Sequence, residues 1–454
     1  MFVGFDYGTS NCAMGVLRNT TAEVLRLEGE SRFVPSTLYS LERELIAESV
    51  FKGLAESTLQ QQFKSLRSAE LQQAQRCRIH HGLPADEQTS FGGQEAIQAY
   101  LDAPEEGFFI KSPKSFLGAG GLSSAQIAFF EDVVTLMMME VKGRAEQQLQ
   151  SSITQTVIGK PVNFQGIQEQ HSNQQALAIL SNAAQRAGFK DVEFLYEPLA
   201  AGIDFETTLE QDKTVLVVDV GGGTTDCSVV KMGPSYIHKA DRQEDFLGHS
   251  GVRVGGNDLD IHLSMQALMP LFGLGSELRN NTPLPNKLLW DAVAVNDVAA
   301  QKHFNSKDCA RQLGQFLLES KQPELIKRLQ LMQAQQQSYQ VVRSGELCKI
   351  ALSDSPQHRV DLSYIEVGLE LSVAQSLFAK AIQRPLSQIT ELMQEAIQQA
   401  QTQPDLIYVT GGTAKSPVIR QTIEDLFPHK EIVVGDHFGS VTAGLAQWAG
   451  RLYR

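Results

Sequence analysis

The chain has 454 residues, of which 42% are apolar and 20% charged, and a formal net charge of −13 at pH 7. That length exceeds what one hydrophobic core holds and that balance excludes a disordered chain, so a globular protein of more than one domain is expected. So acidic a chain, with no basic stripe, is not built to grip a nucleic acid.

In chain order, residues 2–5 form a short β-type run that ends in Asp6-Tyr7-Gly8-Thr9-Ser10-Asn11. Residues 2–40 read as strands and turns, and 41–88 turn Gln-, Glu- and Leu-rich with helical spacing and few strand signals. Lys111-Ser112-Pro113-Lys114 leads back to the first half. A helix is predicted over about 124–150, a strand over 154–158, a helix over about 167–187, a strand over 193–195 and a turn at Glu197-Pro198. The second half begins near Lys213 with a β-run, 215–218, that ends in Asp219-Val220-Gly221-Gly222-Gly223-Thr224-Thr225-Asp226. A helical arm follows over roughly 255–350, in which the Gln-rich stretch 330–340 keeps apolar residues at helical spacing (Leu325, Leu329, Met332). A helix over about 373–401, a strand Leu406–Thr410, a Gly411-Gly412-Thr413 turn and a last helix over 441–452 complete the chain. Strands alternating with amphipathic helices predict an α/β architecture.

Asp6-to-Asn11 and Asp219-to-Asp226 are two copies of one motif. A strand that ends in Asp, then Gly, then Thr can make a tight hairpin whose backbone N–H groups and hydroxyls face phosphate oxygens. The Asp at each strand end can hold a hydrated divalent cation between the loops. Two such turns, each in strand–turn–strand context, point to two related halves closing on one nucleotide. No G-x-x-x-x-G-K-[ST] loop is present, which excludes a P-loop ATPase, and no strand leads into Gly118-x-Gly120-Gly121, so that stretch is not a dinucleotide fingerprint.

The five cysteines (Cys12, Cys77, Cys227, Cys309, Cys348) are odd in number and scattered, which predicts reduced thiols of a cytoplasmic protein. The chain enters a strand at once, without room for a signal peptide, and no apolar run reaches the ~20 residues of a membrane span. Cys77-x-x-His80-His81 lacks a fourth ligand at useful spacing and reads as a helix end. Met137-Met138-Met139 reads as core packing, and Cys12 and Cys227, just after the phosphate loops, as buried fillers.

These motifs together resemble the nucleotide-binding domain of DnaK-type heat-shock chaperones, the 70 kDa heat shock protein family, within the actin-like and sugar-kinase ATPase superfamily. The likeness covers nearly the whole chain in patches and is closest to the short YegD-like members. It implies an actin-like ATPase fold of two ribonuclease-H-like lobes with the nucleotide in the cleft between them. The first lobe would span 1–205, with an outer subdomain over about 36–108. The second would span 206–454, with an outer subdomain over about 254–380 and a last helix, 441–452, packed back on the first lobe. ATP/ADP and Mg²⁺ are the implied cofactors, with a co-chaperone or client protein as partner.

Carried onto this sequence, the resemblance makes Asp6, Asp219 and Glu197 the acids that hold the metal, largely through water. Gly8, Thr9, Ser10 and Asn11 become the first phosphate loop, with Thr9 at the terminal phosphate, and Gly221, Gly222, Gly223 and Thr224 the second. Lys114 becomes the lysine near the γ-phosphate, and Asp226 the residue that orients or deprotonates water. Gly255, Gly256 and Asn257 form the turn below the phosphates. Glu346 and Lys349 would hold the ribose, Ser353 would face the base from the same helical face, and Gly411, Gly412 and Thr413 would form the adenosine turn. Ile350 and Lys415 stand where the family stacks arginines on the base, and Phe438 stands where it has an aspartate, with Asp436 nearby.

Both outer arms (about 41–105 and 257–345) are longer than usual for the family, and the linker, peptide-binding sandwich and lid that follow in full-length members are not expected after Arg454. The leading expectation is therefore a slow Mg²⁺-dependent ATPase related to chaperones. The alternatives are a bacterial-actin-like filament protein, a small-molecule kinase of the same fold and a non-hydrolysing nucleotide sensor.

Overall fold

A computed structural model describes residues 1–164, 169–237, 239, 242–435 and 439–454. It is a mixed α/β protein organised around two sheets of matching design. In the first, Phe2–Tyr7 pairs antiparallel with Asn11–Arg18 and parallel with Gln155–Lys160. Thr21–Val24 and Asp191–Tyr196 form the two edges, and Val34–Pro35 adds a short pairing to Asn11–Arg18. In the second, Lys213–Val220 pairs antiparallel with Thr225–Met232 and parallel with Leu406–Thr410. Phe246–Val252 and Glu431–Val434 are its edges. Each central strand thus carries an Asp near its end, runs into a Gly/Thr turn and returns antiparallel.

The period-two alternation of a strand explains how Phe2–Tyr7 is covered on both faces. Val3, Phe5 and Tyr7 enter a core with Val133, Met137 and Met138 of helix Ser124–Leu149 and Ile179 of helix Glu169–Arg186. Gly4, on the opposite face, lies so close to the last helix, Ser440–Tyr453, that a Cβ there would stand 2.2 Å from the Ala446 nitrogen. That helix packs in turn on Glu197–Glu206, where a Cβ on Gly444 would stand 1.7 Å from the Ala200 carbonyl. Val157 of the first sheet and Val215 and Val217 of the second share one core with these two helices. Two small-residue contacts therefore let one helical layer serve both sheets.

Local signals explain several boundaries. Helix Ser124–Leu149 begins where Ser123 and Gln126 form a reciprocal capping box. The stretch 41–88 is largely helical, as Ile46–Gly53, Ser57–Leu66 and Ser68–His80, but a strand Ser90–Gly92 and a helix Gly93–Asp102 follow. That strand and Phe108–Lys111 flank Thr37–Ser40 in a three-stranded sheet. The single helix expected over 373–401 is corrected to a strand Glu370–Ala374, a helix Gln375–Ala381 and a helix Gln383–Ala400. Pro385 sits in the first turn of the third element, where a missing N–H removes no helical bond.

The Gln-rich stretch is helical over Pro323–Ala334, with Leu329 and Met332 fully buried. The helix expected over about 167–187 is observed as Glu169–Arg186, its first expected residues lying outside the described residues. Among the described residues all five cysteines are free, and no helix is long and apolar enough to cross a membrane.

Candidate functional site

The two Gly/Thr turns face each other. In the first, Ser36 steadies the loop from behind: its hydroxyl donates to the Gly8 carbonyl at 2.7 Å and its N–H to the Ser10 carbonyl at 2.8 Å. In the second, Gly221 N–H donates to Thr224 O at 2.9 Å. The Gly255-Gly256-Asn257 turn is stitched beneath it, with Gly256 N–H on Gly221 O at 2.9 Å and Asn257 N–H on Gly222 O at 2.7 Å. Thr413 adds a hydroxyl bond to Gly221 O at 3.1 Å. The loops meet where the Ser10 hydroxyl donates to Asn257 Oδ1 at 3.4 Å and Asn257 Nδ2 donates to the Ser112 hydroxyl at 3.1 Å. A Cβ on Gly223 would stand 2.5 Å from Thr9 Cγ2. Glycine is used here for closeness.

Between the loops lies a cleft of about 220 Å³. Its wall includes Gly8, Thr9, Ser10 and Asn11 from one side and Gly221, Gly222, Thr224, Gly256 and Asn257 from the other. Asp6, Asp219 and Glu197 line its floor. Asp6 and Asp219 occupy equivalent central strands, and Glu197 is the first residue of the Glu197–Glu206 helix. Asp226 lies just behind, with Oδ1 accepting from Val162 N–H at 2.8 Å. Lys114, in the short turn Pro113–Phe116, is buried, and its ammonium pairs with Glu197 Oε1 at 2.5 Å.

This cluster carries more negative charge than one lysine neutralises. Burial, then the Glu197 charge, pushes Asp6 up to about 7. Burial and Glu197 likewise push Asp226 up to about 7, and Asp219 well above the usual carboxylate range. Burial works against the Lys114 ammonium, but Glu197 and Asp6 hold it above its ordinary value. A set of buried, under-neutralised oxygens suits a hydrated divalent cation. Among the described residues no three His, Cys, Asp or Glu side chains are grouped to ligate a metal. A cation here would be held with water between it and the acids.

A pH dependence follows. The native protein holds protons on these acids that the unfolded chain gives up near pH 4. Their contribution to stability is therefore present below the unfolded value and lost as pH rises through about 7. The nucleotide-free protein is expected to melt lower at pH 8 than at pH 5.5. Asp226→Asn should flatten that slope, recovering on the order of 4 kcal/mol at pH 8 for a shift of this size. Thermal melts of both proteins at the two pH values check this, and equal slopes would contradict it.

The other end of the cleft is built by helix Ser338–Ala351, which presents Glu346, Lys349 and Ile350, and by the Gly411-Gly412-Thr413 turn. Gly411 has φ +90, and a Cβ there would stand 2.3 Å from Val220 O, so backbone reaches the wall where a side chain cannot. Lys349 Nζ pairs with Asp260 Oδ1 at 2.7 Å, and Glu346 with Lys111 at 3.0 Å. Ile350 is 55% exposed, an open apolar surface in a polar cleft.

Two expected residues are placed differently from the others. Ser353 lies beyond the helix end, off the cleft wall, with its hydroxyl 3.4 Å from the Lys349 carbonyl, so the shared helical face expected for it is corrected. Lys415 ends the short Gly412–Lys415 turn and is exposed, also off the wall. Asp436 and Phe438 lie outside the described residues. Sequence reasoning missed Asp260, which lines the cleft and is 1% exposed. The one available signal was its place in the helix that follows Gly255, in Asp258-x-Asp260. The thiols beside the loops, Cys12 and Cys227, are fully buried, and burial pushes Cys12 up to about 12, so they are fillers.

Comparison with known proteins finds chaperone relatives. The family model described as Hsp70 protein matches residues 125–266. The chaperone protein HscA homolog of Rickettsia typhi is 25% identical over 259 residues, covering 57% of this chain and 36% of that protein. The HscA homolog of Histophilus somni (strain 129Pt) gives the same identity and coverage. The chaperone protein dnaK of Emiliania huxleyi is 21% identical over 99% of this chain and 60% of its own length. The chain thus spans about a third of the HscA relatives it matches and three fifths of the dnaK relative. The family match includes Glu197, the triple-glycine loop and the Gly255-Gly256 turn of the cleft.

Proposed function

We propose that the cleft binds Mg²⁺–ATP and Mg²⁺–ADP and that the protein is a slow ATPase of the actin-like, two-lobed kind. The lobes would be 1–205 and 206–454, each with its outer subdomain. The observation that supports this best is the meeting of two Gly/Thr turns over a floor of Asp6, Asp219 and Glu197 with one lysine at hand. In phosphoryl transfer to water the protein supplies positioning and charge neutralisation rather than covalent chemistry. Backbone and hydroxyls of Gly8 to Asn11 and of Gly221 to Thr224 would cradle the phosphates. Asp6, Asp219 and Glu197 would hold Mg²⁺ through water, and the ion would supply charge that offsets the phosphates.

Lys114 would exchange its bond to Glu197 for one to the terminal phosphate. Asp226, anchored by Val162 N–H through one oxygen, would use the other to orient or accept a proton from water. Glu346 and Lys349 would face the ribose, and Ile350 would lie under the base. Slow turnover follows from a lysine that must first leave a buried ion pair. Because the relatives are named as chaperone proteins, a chaperone-related role with a client or co-chaperone in the cytoplasm is the proposed context.

The Lys114–Glu197 pair also supports a second reading, a sensor that binds ATP without cleaving it. Single-turnover incubation with Mg²⁺-ATP decides between them. Slow, stoichiometric ADP formation is expected, and tight binding with ATP recovered intact would establish the sensor.

A further inference from the structure

At the end of the cleft away from the phosphate turns, the charged side chains of the wall are committed to partners inside the protein. Lys349 Nζ pairs with Asp260 Oδ1 at 2.7 Å and donates to the Gly256 carbonyl at 3.3 Å. Both contacts draw its ammonium back beside the turn that underlies the second phosphate loop, and a Cβ on Gly256 would stand 3.4 Å from it. Asp260, 1% exposed, is the buried acid that holds it there. Glu346 lies one turn earlier on helix Ser338–Ala351 and pairs with Lys111 at 3.0 Å. Lys349 and its partner thus stand next to the phosphates, where a sugar would lie.

Beyond them the wall is apolar or engaged with itself. Ile350 is 55% exposed and presents an aliphatic surface without donor or acceptor. In the Gly411-Gly412-Thr413 turn, the Gly411 carbonyl accepts from Ala414 N–H at 3.1 Å and the Thr413 hydroxyl donates to the Gly221 carbonyl at 3.1 Å. Thr410 sits opposite Asp219 in the strand pair and so belongs to the floor. Among the described residues, a base here meets a packing surface and not a set of side chains aimed at its edge. A site built to hydrogen-bond a ligand group rejects the analogue that lacks it by orders of magnitude, whereas an apolar surface separates close analogues poorly. Every base has a π-face on which such a surface can pack.

We propose that the cleft selects its nucleotide by sugar and phosphates and not by base, so that guanine nucleotides are taken as readily as adenine nucleotides. The inference rests on the nucleotide reading of that cleft. Asp260 is a positioning residue in it, because fixing Lys349 fixes where the sugar hydroxyls are met. Discrimination is then concentrated at the ribose, where a missing hydroxyl leaves buried charged groups without a partner, and is weak at the base.

The test is titration calorimetry of the whole chain, in Mg²⁺, with ADP, GDP and 2′,3′-dideoxy-ADP. GDP is expected to bind within about threefold of ADP, and dideoxy-ADP about tenfold or more weaker. Ile350→Ala should weaken ADP and GDP by the same factor, about threefold to tenfold, because the apolar surface it removes serves both bases. Asp260→Asn should narrow the gap between ADP and dideoxy-ADP while leaving the ADP-to-GDP ratio as in wild type, a pattern that a general loss of structure does not produce. Should Asp260→Asn not fold, the wild-type protein and Ile350→Ala decide alone. GDP weaker than ADP by more than about threefold, or a loss in Ile350→Ala confined to one base, would overturn the inference. A wild-type protein that binds none of the three would instead overturn the nucleotide reading on which it depends.

Discussion

Lys114→Ala is expected to slow single-turnover ATP hydrolysis by about 100- to 1000-fold while leaving ADP affinity nearly unchanged. Among the described residues Lys114 is the one cation paired with the buried acids of the floor, through Glu197 Oε1 at 2.5 Å. Its charge is most valuable when the terminal phosphate parts from its neighbour, because a buried site stabilises developing charge more than water does. ADP lacks that phosphate, so its binding should depend on the loops instead. Removing Lys114 also leaves Glu197 buried and unpaired, so a loss of a few kcal/mol in stability of the empty protein should accompany the kinetic effect. Quench-flow kinetics and calorimetry on the same variant check both parts. Hydrolysis within a few-fold of wild type would show that Lys114 is only a structural partner of Glu197.

Gly255→Ala is expected to weaken nucleotide binding by about 100-fold or more, without touching any charged group. A Cβ at Gly255 would stand 2.7 Å from the Gly222 carbonyl carbon, 2.7 Å from Gly223 N and 2.8 Å from Gly221 O. All three are backbone atoms of the second loop, so the loop itself must move. The Gly256–Gly221 and Asn257–Gly222 bonds that stitch the two turns would be strained in the same step. Gly143 supplies the contrast. It lies inside helix Ser124–Leu149 with nothing within 4 Å of an added Cβ, so Gly143→Ala should keep binding and stabilise the fold by about 0.5–1 kcal/mol. Titration calorimetry and thermal melts of the two variants separate the outcomes. Equal nucleotide affinity in Gly255→Ala and wild type would remove the paired turns from the binding account.

What was legible in the sequence was what short-range chemistry dictates. The strand–Asp–Gly–Thr turns were visible because glycine and threonine at that spacing permit few other backbone paths. Asp6, Asp219 and Glu197 of the cleft floor were visible for the same reason, each lying near a strand end or at a helix start that Pro198 marks. Strand Ser90–Gly92 was not, because three residues flanked by Gln-rich helices carry too little periodicity and their pairing partner is Thr37–Ser40, far along the chain. The break before Gln383 hid behind continuous helical spacing, with Pro385 as its one mark. Ser353 was misread because a three-to-four-residue repeat says nothing about where a helix stops, and Ser338–Ala351 ends two residues earlier. Asp260 belongs to a contact between distant segments, which no local pattern encodes.

The most direct measurement is calorimetric titration of the whole chain with ADP, with and without Mg²⁺, at pH 8. Saturable one-to-one binding that Mg²⁺ tightens and Asp219→Asn weakens is the predicted result. An absence of saturable heat with millimolar ADP in the presence of Mg²⁺ would contradict the assignment of the cleft to a nucleotide.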